Sequence, residues 1–226
     1  MARIPRLVFD DIIYHILNRA NGKEMIFQKE KDYESFEKIL FEGKEKYPIN
    51  IFSFSIMPNH WHFVLSSQKG ENIPGFMRWI THTHTQRWHA NHNSIGHGHI
   101  YQGRYKSFPI ERDNHFLQVC RYAERNPLRA GLVQKAEDWK WSSLWIRKNG
   151  TEKQKLLLSD WPVDEPNLYL DWINMNLKDE KEKLDKIRHA IKRGCPFGEE
   201  SWIEAIAERL GLTSTLNPIG RPKKVF

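Results

Sequence analysis

The chain has 226 residues, with 35 Lys/Arg against 28 Asp/Glu and a formal net charge of +7. Hydrophobic residues at 39% and charged residues at 28% describe a chain that folds around a core, which excludes a disordered or collagen-like protein. No run reaches the roughly 18 apolar residues of a membrane helix, the opening MARIPRLVFDD has no apolar signal core, and Cys120 and Cys195 are too few for a disulfide framework or a four-thiolate zinc site. The expectation is a cytoplasmic enzyme or binding protein with an acidic partner and no membrane contact.

Residues 11–18 (DIIYHILN) read as a strand, followed by a turn at Asn21-Gly22. Residues 30–46 place Tyr33, Phe36, Ile39 and Leu40 at helical spacing, and Pro48 ends that helix. INIFSFSIM (49–57) and HWHFVLS (60–66) read as strands around a Pro58-Asn59 turn, a central antiparallel hairpin. A long helix over 72–91 carries Ile73, Phe76, Met77, Ile80 and Trp88, and the Gly-, His- and Asn-rich 93–104 reads as a loop. YKSFPIE (105–111) suits an edge strand, because Pro109 donates no ladder bond. Asp113 is the expected N-cap of a helix over 114–125 that stops near Pro127. The pattern predicts an α+β fold, an antiparallel sheet with helices packed against it.

After Trp141 the texture changes. A KNGTEKQK linker and two prolines occupy 148–166, helices are expected at 164–176, 179–193 and 199–210, and the end NPIGRPKKVF is basic and rich in Pro and Gly. The predicted organisation is a catalytic domain over 1–150 and a mainly helical extension over 151–226. Residues 1–150 hold 22 Lys/Arg against 15 Asp/Glu, whereas 151–226 hold 13 of each. Residues 69–135 carry 10 basic and 4 acidic side chains, which with nine Trp in the chain suits a nucleic-acid surface.

Four groups of residues can carry chemistry. In a strand, period 2 puts His60 and His62 on one face and Trp61 on the other, and imidazoles about 7 Å apart at Cα can converge on one divalent cation. A bare H-x-H is weak evidence, and taken alone it reads more readily as two half-buried histidines. On the helix 114–125, Gln118, Tyr122 and Asn126 form one polar stripe. A tyrosine hydroxyl attacks a phosphodiester when its proton is removed and the phosphate is polarised, Asn126 offers a neutral oxygen ligand, and Arg121 and Arg125 suit phosphate oxygens. The plain alternative is an amphipathic helix with a surface tyrosine. Six histidines fall between His82 and His99, but His82 and His84 lie on different helix faces and no thiol is near, which disfavours structural zinc. In Gln102-Gly103-Arg104-Tyr105-Lys106, a glycine beside two cations lets backbone and charge approach a phosphate together.

Read in order, MPNHWHFVL (57–65), GHIYQGRYKS (98–107), CRYAERNPLRAGLV (120–133) and DWKWSS (138–143) resemble the REP-associated tyrosine transposases, within the single-tyrosine HUH endonucleases. The opening YHILNRANGKEMIF (14–27) and the tail RGCPFGEESWIEAIAERLGL followed by GRPKK extend the likeness over most of the chain. The resemblance implies a ferredoxin-like core and cleavage and joining of single-stranded DNA at hairpin-forming palindromic repeats through a 5′-phosphotyrosine. It implies Tyr122 as nucleophile, His60, His62 and Asn126 as ligands of Mg²⁺ or Mn²⁺, and a basic block at Arg104 and Lys106. Arg129 is a further candidate for DNA contact. Arg221, Lys223 and Lys224 resemble half of an AT-hook, in which a short Arg-Pro segment lies in a minor groove. Cys195 stands where the family's tail carries Arg. Monomer and homodimer remain open. The rival readings are a domesticated, sequence-specific DNA-binding protein without cleavage, another HUH enzyme such as a relaxase, and a zinc-binding module.

Overall fold

A computed structural model describes residues 8–176 and 180–218. Asp11, with φ of 57°, turns the chain into the first strand, so β1 runs Ile13–Arg19 and starts two residues later than the sequence suggests. The next elements are α1 (Glu30–Lys46), β2 (Asn50–Met57), β3 (His60–Ser66), α2 (Asn72–Asn91) and β4 (Lys106–Ile110). All pairings are antiparallel and the sheet order is β2-β3-β1-β4. A βαββαβ chain with β1 and β3 at the centre has ferredoxin-like topology, as the family resemblance implies.

Past β4 the described chain is helical: α3 (Asn114–Glu124), α4 (Asn126–Arg129), α5 (Ser143–Asn149), α6 (Glu152–Lys155), α7 (Tyr169–Asn174), α8 (Glu180–Arg193), α9 (Glu200–Arg209) and α10 (Thr213–Leu216). Pro162 and Pro166 keep 161–168 irregular, so the helix expected over 164–176 shortens to α7.

Strand alternation sorts two cores onto the two sheet faces. On one, Ile16, Phe54, Trp61 and Phe63 meet Phe36, Leu40, Phe76 and Ile80 of α1 and α2. On the other, Val64, Phe108 and Ile110 meet Phe116, Val119 and Cys120 of α3, with Ile187 and Ala190 of α8. A bulge in β2 brings Phe52 onto this second face. The result is three layers, each buried large side chain contributing roughly 1.5–3 kcal/mol.

The boundary expected near residue 150 falls between α5 and α6, yet the chain beyond it returns to both cores. Leu157, Ile206 and Leu210 join the α1/α2 side, and Ile187, Ala190, Cys195 and Phe197 join the other. Within the expected linker, Lys44 Nζ donates to the carbonyls of Leu156 and Leu157 at 2.8 and 3.0 Å. Phe197 N–H donates to Pro109 C=O and Glu111 N–H donates to Phe197 C=O, so the extension also covers the β4 edge. Among the described residues no helix is long and apolar enough to cross a membrane.

Candidate active site

Register builds the site. Leu17 of β1 lies opposite His62 and Arg19 opposite His60, while Lys106 of β4 lies opposite Leu17. One end of the second face therefore carries His60, His62, Arg19 and Lys106 together. Trp61 points the other way into the first core, where its Nε1–H donates to Tyr101 Oη at 3.0 Å. The Tyr101 hydroxyl is in turn hydrogen-bonded to His84 Nδ1 at 2.7 Å. Asn21 N–H bonds Ile100 C=O at 2.8 Å and Gln102 N–H bonds Arg19 C=O at 2.9 Å. These bonds pin the 100–103 segment to the end of β1 and carry Arg104 to the cleft.

Helix α3 crosses above this end. Its Phe116, Val119, Cys120 and Ala123 are buried, and Tyr122 leaves that stripe to stand edge-on to His62, ring centroids 5.6 Å apart. Asn126 follows one turn on, at the start of α4. Tyr122, Asn126, His60, His62, Arg104, Lys106 and Arg129 all line one cleft of 670 Å³. Arg19 and Arg188 line it too; the sequence reading named neither as a member. Arg19 is placed by strand register and Arg188 by the docking of α8, and neither relation is visible in a local motif. Among the described residues, five cations and no carboxylate line the cleft.

His15 is the other residue the sequence reading missed. It is buried on β1 with Nε2 2.9 Å from His62 Nδ1, and its one signal is a polar residue inside the apolar run IIYHIL. Burial holds His15 down to about 3. Burial, then the Arg19 charge, holds His60 down to about 4. His62 lies well below the usual range through burial, then the charges of His60, His15, Arg129 and Arg19. All three are neutral near pH 7, as metal ligation requires. His60 Nδ1 lies 2.6 Å from Asn59 Oδ1 and must donate to it, which leaves Nε2 as an open lone pair.

Around Tyr122, two donors have no protein partner among the described residues. Asn126 Nδ2 and Arg129 Nη1 are buried and unpaired, a state that points to a ligand. Arg129 Nη2 donates to Tyr122 C=O at 2.9 Å and Asn126 Oδ1 at 3.2 Å, and its guanidinium lies 4.9 Å from the Tyr122 ring centroid. Burial raises the Tyr122 pKa, and the charges of Arg129, Arg188 and Arg19 oppose that. Two neutral imidazoles and an amide oxygen fit a divalent cation of the N/O-accepting kind; Mn²⁺ tolerates imidazole better than Mg²⁺.

Arg121 and Arg125, expected to suit phosphate oxygens, are not among the residues that line this cleft. Both are buried under the 172–176 segment. Arg121 Nε donates to Trp172 C=O at 3.0 Å, Arg125 Nη1 to Ile173 C=O at 2.9 Å, and Arg125 pairs with Glu180 at 3.2 Å. Both also reach Met175 C=O. Their helix positions put them beneath α7, where peptide carbonyls replace phosphate. Arg221, Lys223 and Lys224 lie outside the described residues. Half of the histidine run is tied into the fold: besides His84, His89 bonds Ser94 Oγ and Gly98 C=O, both at 2.8 Å, and His92 bonds Trp88 C=O at 2.8 Å.

A second group could hold a metal ion: Glu111, Asp113 and His115, whose ligand atoms lie within 4.8 Å of one another. It sits at the start of α3, seven residues before Tyr122, about 10 Å along the helix. Asp113 already accepts from His115 N–H at 2.7 Å as the helix cap, and Glu111 accepts from Glu199 N–H at 2.6 Å.

Residues 8–126 match the family model described as Transposase IS200 like. The chain is similar in fold to a solved REP-associated tyrosine transposase bound to a REP hairpin, at 16% identity and TM-score 0.55, covering 79% of this chain and 96% of that one. It is also similar, at 14% identity and TM-score 0.38, to a transposase-like protein from Deinococcus radiodurans R1, covering 59% of this chain and 94% of that one. No curated protein matches the chain.

Proposed function

The chain belongs to the IS200-like transposase family, and we propose that within it this protein nicks and rejoins single-stranded DNA beside hairpin-forming palindromic repeats through a 5′-phosphotyrosine at Tyr122. The observation that carries this reading is a phenol standing edge-on to the neutral His62, with the neutral His60 lining the same cleft, where the described residues supply five cations and no carboxylate.

His60 Nε2, His62 Nε2 and Asn126 Oδ1 are the atoms that would hold Mg²⁺ or Mn²⁺. When bound there, the ion supplies a Lewis acid that polarises the scissile phosphate. Tyr122 Oη forms a bond to phosphorus as the bond from phosphorus to the 3′-oxygen breaks. The phenol proton goes to water and the 3′-oxygen leaves as a hydroxyl. Because a phosphoester is exchanged for a phosphoester, the 3′-hydroxyl of another strand reverses the step without a nucleotide cofactor. Arg19 and Arg129 hold phosphate oxygens beside the nucleophile.

Arg104 and Lys106 extend the positive surface outward. Gly103, with φ of 151° and open space where a Cβ would stand, lets a backbone phosphate come close. The hairpin reading draws support from the solved transposase of the same fold, which is bound to one.

The test is a denaturant-stable adduct. The full chain is incubated with Mn²⁺ and labelled single-stranded DNA carrying a palindromic repeat from its own genome. Wild type forms the adduct, and Tyr122→Phe forms none while still binding the DNA, because only the attacking oxygen is removed. Binding by wild type with no adduct in either Mn²⁺ or Mg²⁺ establishes the non-cleaving DNA-binding protein instead.

A further inference from the structure

Helix α8 belongs to the extension, yet it reaches the nucleophile. Ile187 and Ala190 anchor it in the second core. At that rotation Arg188 and Ile191 turn to the cleft wall beside Tyr122 and Arg129. Arg188 pairs with Asp185 at 3.3 Å, but both side chains are more than half exposed. Such an exposed pair contributes at most about 1 kcal/mol and yields easily to a stronger anion.

Two guanidiniums facing one phenol repel each other. Arg188, Tyr122 and Arg129 line the same cleft, and the Arg188 charge acts on both of the others. Glu180, whose charge also reaches Arg129, is already paired with Arg125 and Arg121. Arg129 Nη1 is buried without a protein partner. An arrangement of this kind is relieved by an anion between the cations, and a guanidinium fork matches phosphate geometry.

We propose that Arg188 and Arg129 clamp the phosphodiester that Tyr122 attacks, so that the C-terminal extension completes the active site. This rests on the nicking reading above and adds to it a residue beyond the span of the family match, which ends at Asn126. Arg129 approaches from the Tyr122 helix side and Arg188 from α8. Together they hold the non-bridging oxygens while the attacking phenol stays in line.

Three full-length variants test it: Arg188→Ala, Arg188→Lys and Lys186→Ala. Lys186 sits two residues away on α8, close to the opposite helix face, and is 66% exposed. Adduct formation is followed in Mn²⁺ at saturating single-stranded DNA, with melting temperature as the check on folding. Arg188→Ala should slow the adduct by about 10- to 100-fold, the range for losing a hydrogen bond to a charged group. Arg188→Lys should recover part of the rate, and Lys186→Ala should match wild type.

A wild-type rate in Arg188→Ala, or an equal loss in Lys186→Ala, overturns the clamp. So does a loss confined to affinity, with the saturated rate intact, which would place Arg188 on a flanking phosphate. Slowing that comes with a lowered melting temperature and is not relieved by Lys also overturns it. If wild type forms no adduct, the nicking reading fails on its own, and binding still tests the phosphate contact. Arg188→Ala should then lower the salt slope of single-strand binding by about 0.7 and Lys186→Ala should not; equal slopes overturn it.

Discussion

His15 Nε2 and His62 Nδ1 share a single hydrogen 2.9 Å apart in the buried face of the sheet. Both rings are neutral there, so one must donate and the other accept. If His62 donates from Nδ1, its Nε2 keeps the lone pair a metal needs; if His15 donates, His62 Nε2 carries a proton and cannot ligate. A metal held by His62 would select one tautomer of the pair, with His15 as the acceptor that makes it available. His15→Phe keeps a ring beside Phe108, whose centroid is 4.9 Å away, and removes that acceptor. Mn²⁺ affinity, measured by calorimetric titration, should fall about 10- to 100-fold, the usual cost of losing such an outer partner. Unchanged affinity would remove His15 from the site.

Arg125 and Arg104 carry the same charge and should fail differently. Arg125→Ala strips a hydrogen-bond partner from Ile173 C=O and leaves Glu180 short of a cation in a mostly buried setting. Loss of about 3 kcal/mol is expected in urea unfolding. Arg104→Ala, at an exposed position, should leave the unfolding midpoint alone and weaken DNA binding in a salt-dependent way. A stable Arg125→Ala with weak DNA binding would restore Arg125 to the phosphate role.

Low pH should destabilise the fold through buried imidazoles. Burial holds His84 down to about 3 and His15 to about 3. In the unfolded chain both titrate near 6.5. Between those values the unfolded state binds the protons the folded state refuses, so stability falls as pH drops below about 6.5. At pH 5 the loss is about 2 kcal/mol for each residue. His84→Gln keeps an acceptor for the Tyr101 hydroxyl and cannot titrate. Melting between pH 7.5 and 5 should therefore drop less steeply in this variant; parallel curves would assign the loss elsewhere.

The sequence shows the parts of this molecule that are local. The α1 helix is legible because Tyr33, Phe36, Ile39 and Leu40 keep one period until Pro48, and it runs Glu30–Lys46 as predicted. The common face of His60 and His62 follows from strand alternation alone. Residues brought together by register or docking are not legible. His15 and Arg19 reach the site only because β1 pairs with β3 across more than 40 residues of chain. The polar stripe on α3 follows from helical spacing, but what covers it does not. Tyr122 and Asn126 face the cleft, while Gln118 faces a crevice beneath α8. Arg121 and Arg125 meet a segment 50 residues downstream. A helical wheel gives an angle and says nothing of the partner at that angle.

The charge shift near residue 150 suggests a detachable extension whose removal leaves a folded, cleaving core, and the packing argues the opposite. Ending the chain at 150 would uncover Phe108, Ile110 and Phe116 by removing Ile187, Ala190 and Phe197, and would take Leu157, Ile206 and Leu210 from the other core. At roughly 1.5–3 kcal/mol for each large side chain, that loss rivals the whole 5–15 kcal/mol by which a domain is stable. The 1–150 protein should be poorly soluble, lack a cooperative melt and form no adduct. Ending at 218 is a different matter. Arg193 keeps its bonds to the carbonyls of Ser214, Thr215 and Asn217, and α9 and α10 stay, so the melt should match full length. If Arg221, Lys223 and Lys224 grip duplex phosphates, the 1–218 protein should bind hairpin stems with a salt slope lower by about 2–3. A 1–150 protein that melts sharply and cleaves at the full-length rate would show that the extension serves neither the core nor the clamp.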